Sequence, residues 1–248
     1  MSISIDISEQ SGVRYLHFGS TWIQGAMRIA RPWNLELEYT REMMASLLLR
    51  SPPRKVLLIG LGAASLTKFL YRNCPQAHLT VVEIEPGVVA AARQFFKLPE
   101  DSRRINLVIG DGVEYVLGTD KKFDLILVDG FNEHAHPGAL NTLPFYQACS
   151  TRLSDKGIMA VNLLGLSRGS MGGFTHILKA FDDRALLLPS CASGNTIALA
   201  ATGTPISIPF DELQKNASAL KTETGLNLLP TLTRLAQANT CIDDTLVL

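Results

Sequence analysis

A surplus of either charge is missing. The 248 residues hold 23 Lys and Arg against 23 Asp and Glu, so the formal net charge is zero. Nucleic-acid-binding chains carry a basic surplus, and a neutral chain has no general attraction to an acidic membrane surface. Cysteine is scarce. Cys74, Cys149, Cys191 and Cys241 lie far apart, and none forms a C-x-x-C pair. That spacing excludes a dense disulfide scaffold and reads as reduced thiols of a cytoplasmic protein. Long apolar runs are absent too: none approaches the ~20 residues of a membrane helix. The opening Met1-Ser2-Ile3-Ser4-Ile5-Asp6 lacks the charged-then-apolar order of a leader. No repeat or low-complexity segment occurs. The expectation is a cytoplasmic protein with neither nucleic acid nor membrane as partner.

Apolar residues make up 46% of the chain, enough for a sizeable core in one large domain. Residues 1–34 alternate polar and apolar over two short stretches and predict a short N-terminal β segment. Residues 35–50 predict a helix, broken by Ser51-Pro52-Pro53. Strands and helices then alternate. Apolar strands are predicted over 55–59, 77–83, 105–109, 123–128 and 158–162, each followed by a segment of helical spacing. Residues 186–188 and 196–200 predict two closing antiparallel strands. The pattern gives an α/β fold: a doubly wound, mostly parallel sheet with helices on both faces. Residues 35–204 form this nucleoside-binding domain. Residues 205–248 open on a linker-like Pro205-Ile206-Ser207-Ile208-Pro209 and continue as a helical extension packed on it. Strands as short as the N-terminal ones do not make a stable sheet alone, which predicts pairing with the main domain or a homodimer.

Ligands of such sheets bind outside the carboxyl ends of the strands. Gly60 and Gly62, Glu83, Asp111 and Asp129 all fall there. The two glycines serve either a tight turn or close approach of a ligand. Glu83 is placed to accept ribose hydroxyls, or to sit solvated at a helix start. Asp111, in Gly110-Asp111-Gly112, is a helix cap, an acceptor for an adenine amine, or both. Asp129 ends the apolar run Phe123–Val128, and desolvation there would raise its pKa and strengthen it as a base; the alternative is again a cap. His134 and His136 lack a third and fourth ligand at metal spacing, so no metal is expected. Trp22 and Trp33 line a pocket or belong to the core.

In this order, Ile59-Gly60-Leu61-Gly62, Val82-Glu83-Ile84-Glu85, Gly110-Asp111-Gly112 and Leu127-Val128-Asp129 resemble the spermidine/spermine synthases. Those are aminopropyltransferases with the Rossmann-like fold of class I S-adenosylmethionine-dependent methyltransferases. Trp22-Ile23-Gln24 and Glu38-Tyr39-Thr40-Arg41-Glu42-Met43 are similar to the family's Gln-containing strand and Tyr-x-Glu-Met helix start. Thr142-Leu143-Pro144-Phe145-Tyr146 and Leu153-Ser154-Asp155-Lys156-Gly157-Ile158 fit as well. The resemblance implies transfer of an aminopropyl group from decarboxylated S-adenosylmethionine to a small-molecule amine. It implies Asp129 as base, with Tyr39 also catalytic. Gln24 and Tyr39 would contact the donor tail or amine. Gly60, Gly62, Gly112, Glu83 and Asp111 would hold the nucleoside.

Two departures stand out. The family's glycine loop carries an acid facing the donor amine, and here Ala63-Ala64-Ser65 stand instead. The family's second Asp, three residues after the base, is Asn132, with Glu133 next to it as the substitute substrate contact. A methyltransferase using intact S-adenosylmethionine therefore remains open, as does a catalytically silent nucleoside-binding member. An NAD-dependent oxidoreductase is disfavoured by Ser65, where a third glycine belongs.

Overall fold

The computed structural model describes residues 3–132, 134, 136–164, 168–190, 194–238 and 243–248. Its centre is a seven-stranded sheet. Five parallel strands, β4 (Lys55–Ile59), β5 (His78–Glu83), β6 (Ile105–Ile109), β7 (Phe123–Val128) and β8 (Leu153–Leu164), are extended by the antiparallel β10 (Asn195–Ala201) and β9 (Ala185–Leu187). The order is β6-β5-β4-β7-β8-β10-β9. The chain moves outward from β4 through β5 to β6, then returns to place β7 on the other side of β4. The tips of β4 and β7 thus flank the point where strand order reverses.

The inner strands β4, β5 and β7 are buried on both faces, the edge strand β6 is only partly covered, and the alternation divides two cores. Val56 and Leu58 of β4 join Leu125 and Leu127 of β7 on one face. Helices α2 (Ser65–Asn73) and α3 (Pro86–Phe95) cover that face. Leu57, Ile59, Ile126 and Val128 point to the other. There α4 (Gly112–Gly118), α5 (Leu143–Arg152) and α6 (Arg168–Ala180) supply Val116, Phe145 and Ile177.

The expected helix over 35–50 is shorter in the structure: α1 is Glu38–Met43, and Met44–Leu48 tightens to a 3-10 turn. Met43, Met44, Ala45 and Ser46 are all buried. Four consecutive buried residues do not fit one stripe of an amphipathic helix. The N-terminal segment holds a third strand: β1 (Ile5–Gln10), β2 (Val13–Phe18) and β3 (Gly25–Arg28) pair as their own antiparallel sheet, not with the main one. Ser207–Pro209, read as linker from its prolines, is a strand, β11, paired with β12 (Thr245–Val247). Between them α7 (Phe210–Thr224) and α8 (Leu229–Gln237) place Leu213, Ala217, Leu232 and Leu235 in the first core.

Lys68 of α2 is only 2% exposed, and its Nζ donates to the Phe96 carbonyl at the end of α3, at 2.8 Å. Burial, then the charge of Lys97, lowers its pKa to about 7. The unfolded chain therefore binds one more proton than the folded one between pH 7 and the ordinary lysine pKa. Stability contributed here rises with pH across that window, by at most about 1.4 kcal/mol per pH unit. The difference in unfolding free energy between wild type and Lys68→Met, measured from pH 7 to 10, is expected to show that slope. A difference independent of pH would contradict it.

Candidate active site

The register of the parallel strands brings their ends level: Ile59 pairs with Val82 and with Val128, Glu83 with Ile109, and Val128 with Val161. A cavity of about 780 Å³ opens above these ends. That is ample for a nucleoside-sized ligand. Gln24, Tyr39, Gly60, Gly62, Glu83, Asp111, Gly112, Asp129 and Asn132 all line it. Glu133 lies outside the described residues.

Gly60 has φ +92°, and a Cβ there would lie 2.1 Å from the Asp129 carbonyl oxygen. Its N–H donates to Val82 O, while Asp129 N–H donates to Ile59 O. The missing side chain thus lets the β4 and β7 ends meet, holding Asp129 at the strand-order reversal. Gly25 does the same between β3 and the glycine loop: a Cβ there would sit 2.6 Å from the Ala63 Cβ. Ala63 and Ala64 are buried. β3 thus occupies the space beside position 63, where the family's loop acid would stand. Ser65, in the place of a third glycine, donates its hydroxyl to Ala26 O of β3, at 3.2 Å.

Glu83 is buried. Its Oε2 accepts from Leu61 N–H and its Oε1 from Glu85 N–H, each at 2.9 Å. Burial raises its pKa, and the N–H groups of Glu85, Leu61 and Ile84 pull against that rise. The carboxylate stitches the glycine loop to the β5 end, and each oxygen keeps a second lone pair for a hydroxyl donor. Asp111 caps α4, its Oδ1 accepting from Val113 N–H at 2.7 Å and Glu114 N–H at 3.0 Å. Asn132 organises its own loop: its Oδ1 accepts from the N–H groups of His134 and His136, at 3.0 and 2.9 Å.

Asp129 is braced on both oxygens. Tyr39 donates its hydroxyl to Oδ2 at 3.2 Å, and Asn162 donates its amide to Oδ1 at 2.8 Å. Asn195 in turn donates to Asn162 Oδ1 at 2.9 Å. Burial raises the Asp129 pKa, with the bonds from Asn162 and Tyr39 acting in the opposite direction. Burial, then the Asp129 charge, raises Tyr39 well above its usual value. Tyr39 stays a phenol and a donor. The result is a partly desolvated carboxylate whose two oxygens are fixed in orientation by Tyr39 and Asn162.

Sequence reasoning missed Asn162, Asn195 and Glu38, all of which line the cavity. Asn162 had a signal: it ends the apolar run Ile158–Val161 as Asp129 ends its own. Asn195 had none, because its β10 is antiparallel and enters at the cavity end. Trp22 and Ile23 from the β2–β3 connection join Ile84 as exposed apolar walls. Trp33 is not among the lining residues. Glu38, Glu83, Glu85, Asp111 and Asp129 all line the cavity, and among the described residues no Lys or Arg does.

The spermine/spermidine synthase domain matches residues 36–162. The polyamine aminopropyltransferase of Chromobacterium violaceum is 35% identical over 235 residues, 95% of this chain and 90% of that protein. A probable spermidine synthase from Corynebacterium glutamicum shares the fold with a TM-score of 0.72 at 19% identity, over 95% of this chain and 90% of that one. Human methyltransferase-like protein 13, in complex with SAH, does so with a TM-score of 0.67 at 23% identity, over 76% and 93%.

Proposed function

The chain belongs to the spermine/spermidine synthase family, and from that membership we propose that it transfers an aminopropyl group from decarboxylated S-adenosylmethionine to a polyamine acceptor, with Asp129 as base. It is a transferase of small cationic substrates. One observation carries the reading: among the described residues five carboxylates and no Lys or Arg line the cavity, and one of them, Asp129, is held between Tyr39 and Asn162. Such a cavity favours an ammonium acceptor and a donor that has lost its carboxylate.

The donor supplies an activated carbon on a sulfonium, already a good leaving group. This chain supplies position, charge and a proton acceptor. Glu83 takes the ribose, and Asp111 and Gly112 meet the base edge while α4 stays capped. Asp129 draws the acceptor nitrogen into line and removes its proton. The freed nitrogen lone pair forms the new C–N bond, the C–S bond breaks, and sulfur keeps the electron pair as a thioether. Tyr39 and Asn162 hold Asp129 in the deprotonated form until the proton arrives.

Methyl transfer from intact S-adenosylmethionine is the second reading, favoured by Ala63 and Ala64 in place of the loop acid. Against it, among the described residues no Lys or Arg lines the cavity to receive the methionine carboxylate. Calorimetric titration separates the two. Decarboxylated S-adenosylmethionine is expected to bind at least tenfold more tightly than the intact form. Glu83→Ala, with unchanged circular dichroism, is expected to weaken methylthioadenosine by about tenfold or more, the loss of about 1.5–3 kcal/mol for a charge-assisted hydrogen bond. Tighter binding of the intact donor would replace the first reading with the second. Unchanged methylthioadenosine affinity would remove Glu83 from the ribose.

A further inference from the structure

The strand-end cavity is acidic, but a second cavity, of about 300 Å³, is basic. It forms where the connection from β3 to α1 meets the connection from α7 to α8. Three guanidinium groups, Arg28, Arg31 and Arg41, line it with one carboxylate, Glu36, which among the described residues leaves two positive charges. The two cavities have separate linings. Leu37, Glu38 and Tyr39 line the first, and Leu35, Glu36 and Arg41 the second.

Local sequence builds the basic side. After β3 the chain makes two turns in succession: Arg31 N–H donates to the Arg28 carbonyl at 3.0 Å, and Asn34 N–H to the Arg31 carbonyl at 3.1 Å. Pro32 takes the second position of the later turn, which its fixed φ suits. That three-residue interval brings Arg28, Arg31 and Asn34 to the cavity. Arg41 comes from α1. Its Nε donates to Leu35 O at 3.1 Å and its Nη2 to Glu36 O at 2.6 Å, which fixes the guanidinium against the same connection.

These groups differ in what they have left to bind. Arg28 is met by Glu36, through Nε at 3.0 Å and Nη2 at 2.5 Å. Among the described residues, the exposed Arg31 side chain has no acceptor, and neither do Arg41 Nη1 and the Asn34 amide. Asn227, between α7 and α8, uses its Oδ1 on Leu229 N–H, at 3.3 Å, and keeps its amide NH₂ as a donor. Donors on several sides of a doubly positive cavity select an anion with several acceptor oxygens. A phosphate group brings about 1.5 to 2 negative charges at neutral pH and three acceptor oxygens. A carboxylate brings one charge in a plane.

We infer that this cavity binds a phosphate group, with Arg31 and Arg41 as its charged ligands and Asn34 and Asn227 as further donors. The site stands apart from the chemistry proposed for the strand-end cavity. Free phosphate and a small phosphate monoester present the same group, and the cavity has room for either.

The test is calorimetric titration of inorganic phosphate and, separately, of glycerol 3-phosphate into the full chain at about pH 8, where both are dianions, with chloride holding the ionic strength constant. At least one of them is expected to bind, one per chain, with Kd below about 1 mM. Binding is expected to persist when the chain is saturated with methylthioadenosine. Arg31→Gln is expected to weaken it at least tenfold, a difference of about 1.4 kcal/mol, with unchanged circular dichroism, because that side chain holds no other group. Arg41→Gln is expected to weaken it as well. Arg103→Gln, at a guanidinium 91% exposed and outside the cavity, is expected to leave it unchanged. The tighter ligand identifies the source as free phosphate or monoester, and equal affinities mean that the phosphate group alone is read. No saturable heat from either ligand up to about 10 mM, wild-type affinity in Arg31→Gln, an equal loss in Arg103→Gln, or displacement by methylthioadenosine would overturn the inference.

Discussion

Asp129→Asn is expected to lower kcat by about 10²–10⁴-fold, the usual loss when a positioned base is removed, while methylthioadenosine affinity stays within about twofold. The two readouts separate because Asp129 and Glu83 stand at different strand ends, β7 and β5. Asn fills the same space between Tyr39 and Asn162 but takes up no proton and offers an ammonium no counter-charge. The pH profile checks the same point. Burial holds the Asp129 pKa above the ordinary value, against the bonds from Asn162 and Tyr39. The base works deprotonated, so kcat/KM should rise with pH through that raised value. Tyr39→Phe removes one bond to the carboxylate and should move this acid limb to higher pH. Full activity of Asp129→Asn on every amine tried would reduce Asp129 to a structural role.

Arg234→Met is expected to destabilise the fold by about 3 kcal/mol, the lower end of what breaking a buried pair costs. The lower end applies because the Arg234 side chain is 29% exposed while Glu42 is 1% exposed. At about 2–4 °C per kcal/mol for a chain of this size, Tm should fall by about 6–12 °C. The cause is the carboxylate left behind: among the described residues, the Thr231 hydroxyl, at 3.4 Å, is then the side-chain donor to the buried Glu42. The double variant Glu42→Leu/Arg234→Met should recover most of the loss, since an apolar pair of similar volume no longer buries a charge. A drop below about 2 °C in the single variant would mean that water reaches Glu42 and α8 contributes little to holding α1.

The N-terminal strands show one limit of local reading. Two were visible by alternation, but β3, Gly25-Ala26-Met27-Arg28, is four residues long and has no alternating pattern to announce it. It exists because β2 pairs with it and because the glycine loop packs on it through Gly25 and Ala63. The same contact explains Ala63. From sequence it is an acid gone missing, and in the fold it is the small side chain that β3 requires. Asn132 reads similarly, as a lost carboxylate that the fold uses to close a turn.

Sequence by itself determined the parallel sheet, the order of its parts and the carboxylates at its ends. Parallel strands buried on both faces must be continuous apolar runs, and an acid that ends such a run must stand at the strand tip, so local pattern and position coincide for Glu83 and Asp129. Tertiary structure alone decided which groups brace them. Asn162 and Asn195 are 33 residues apart, and Arg234 lies 192 residues from Glu42. No period of 2.0 or 3.6 spans such distances. These contacts arise only when the antiparallel β10 pairs with β8 and the C-terminal helices close over α1, because burial is a property of the assembled layers.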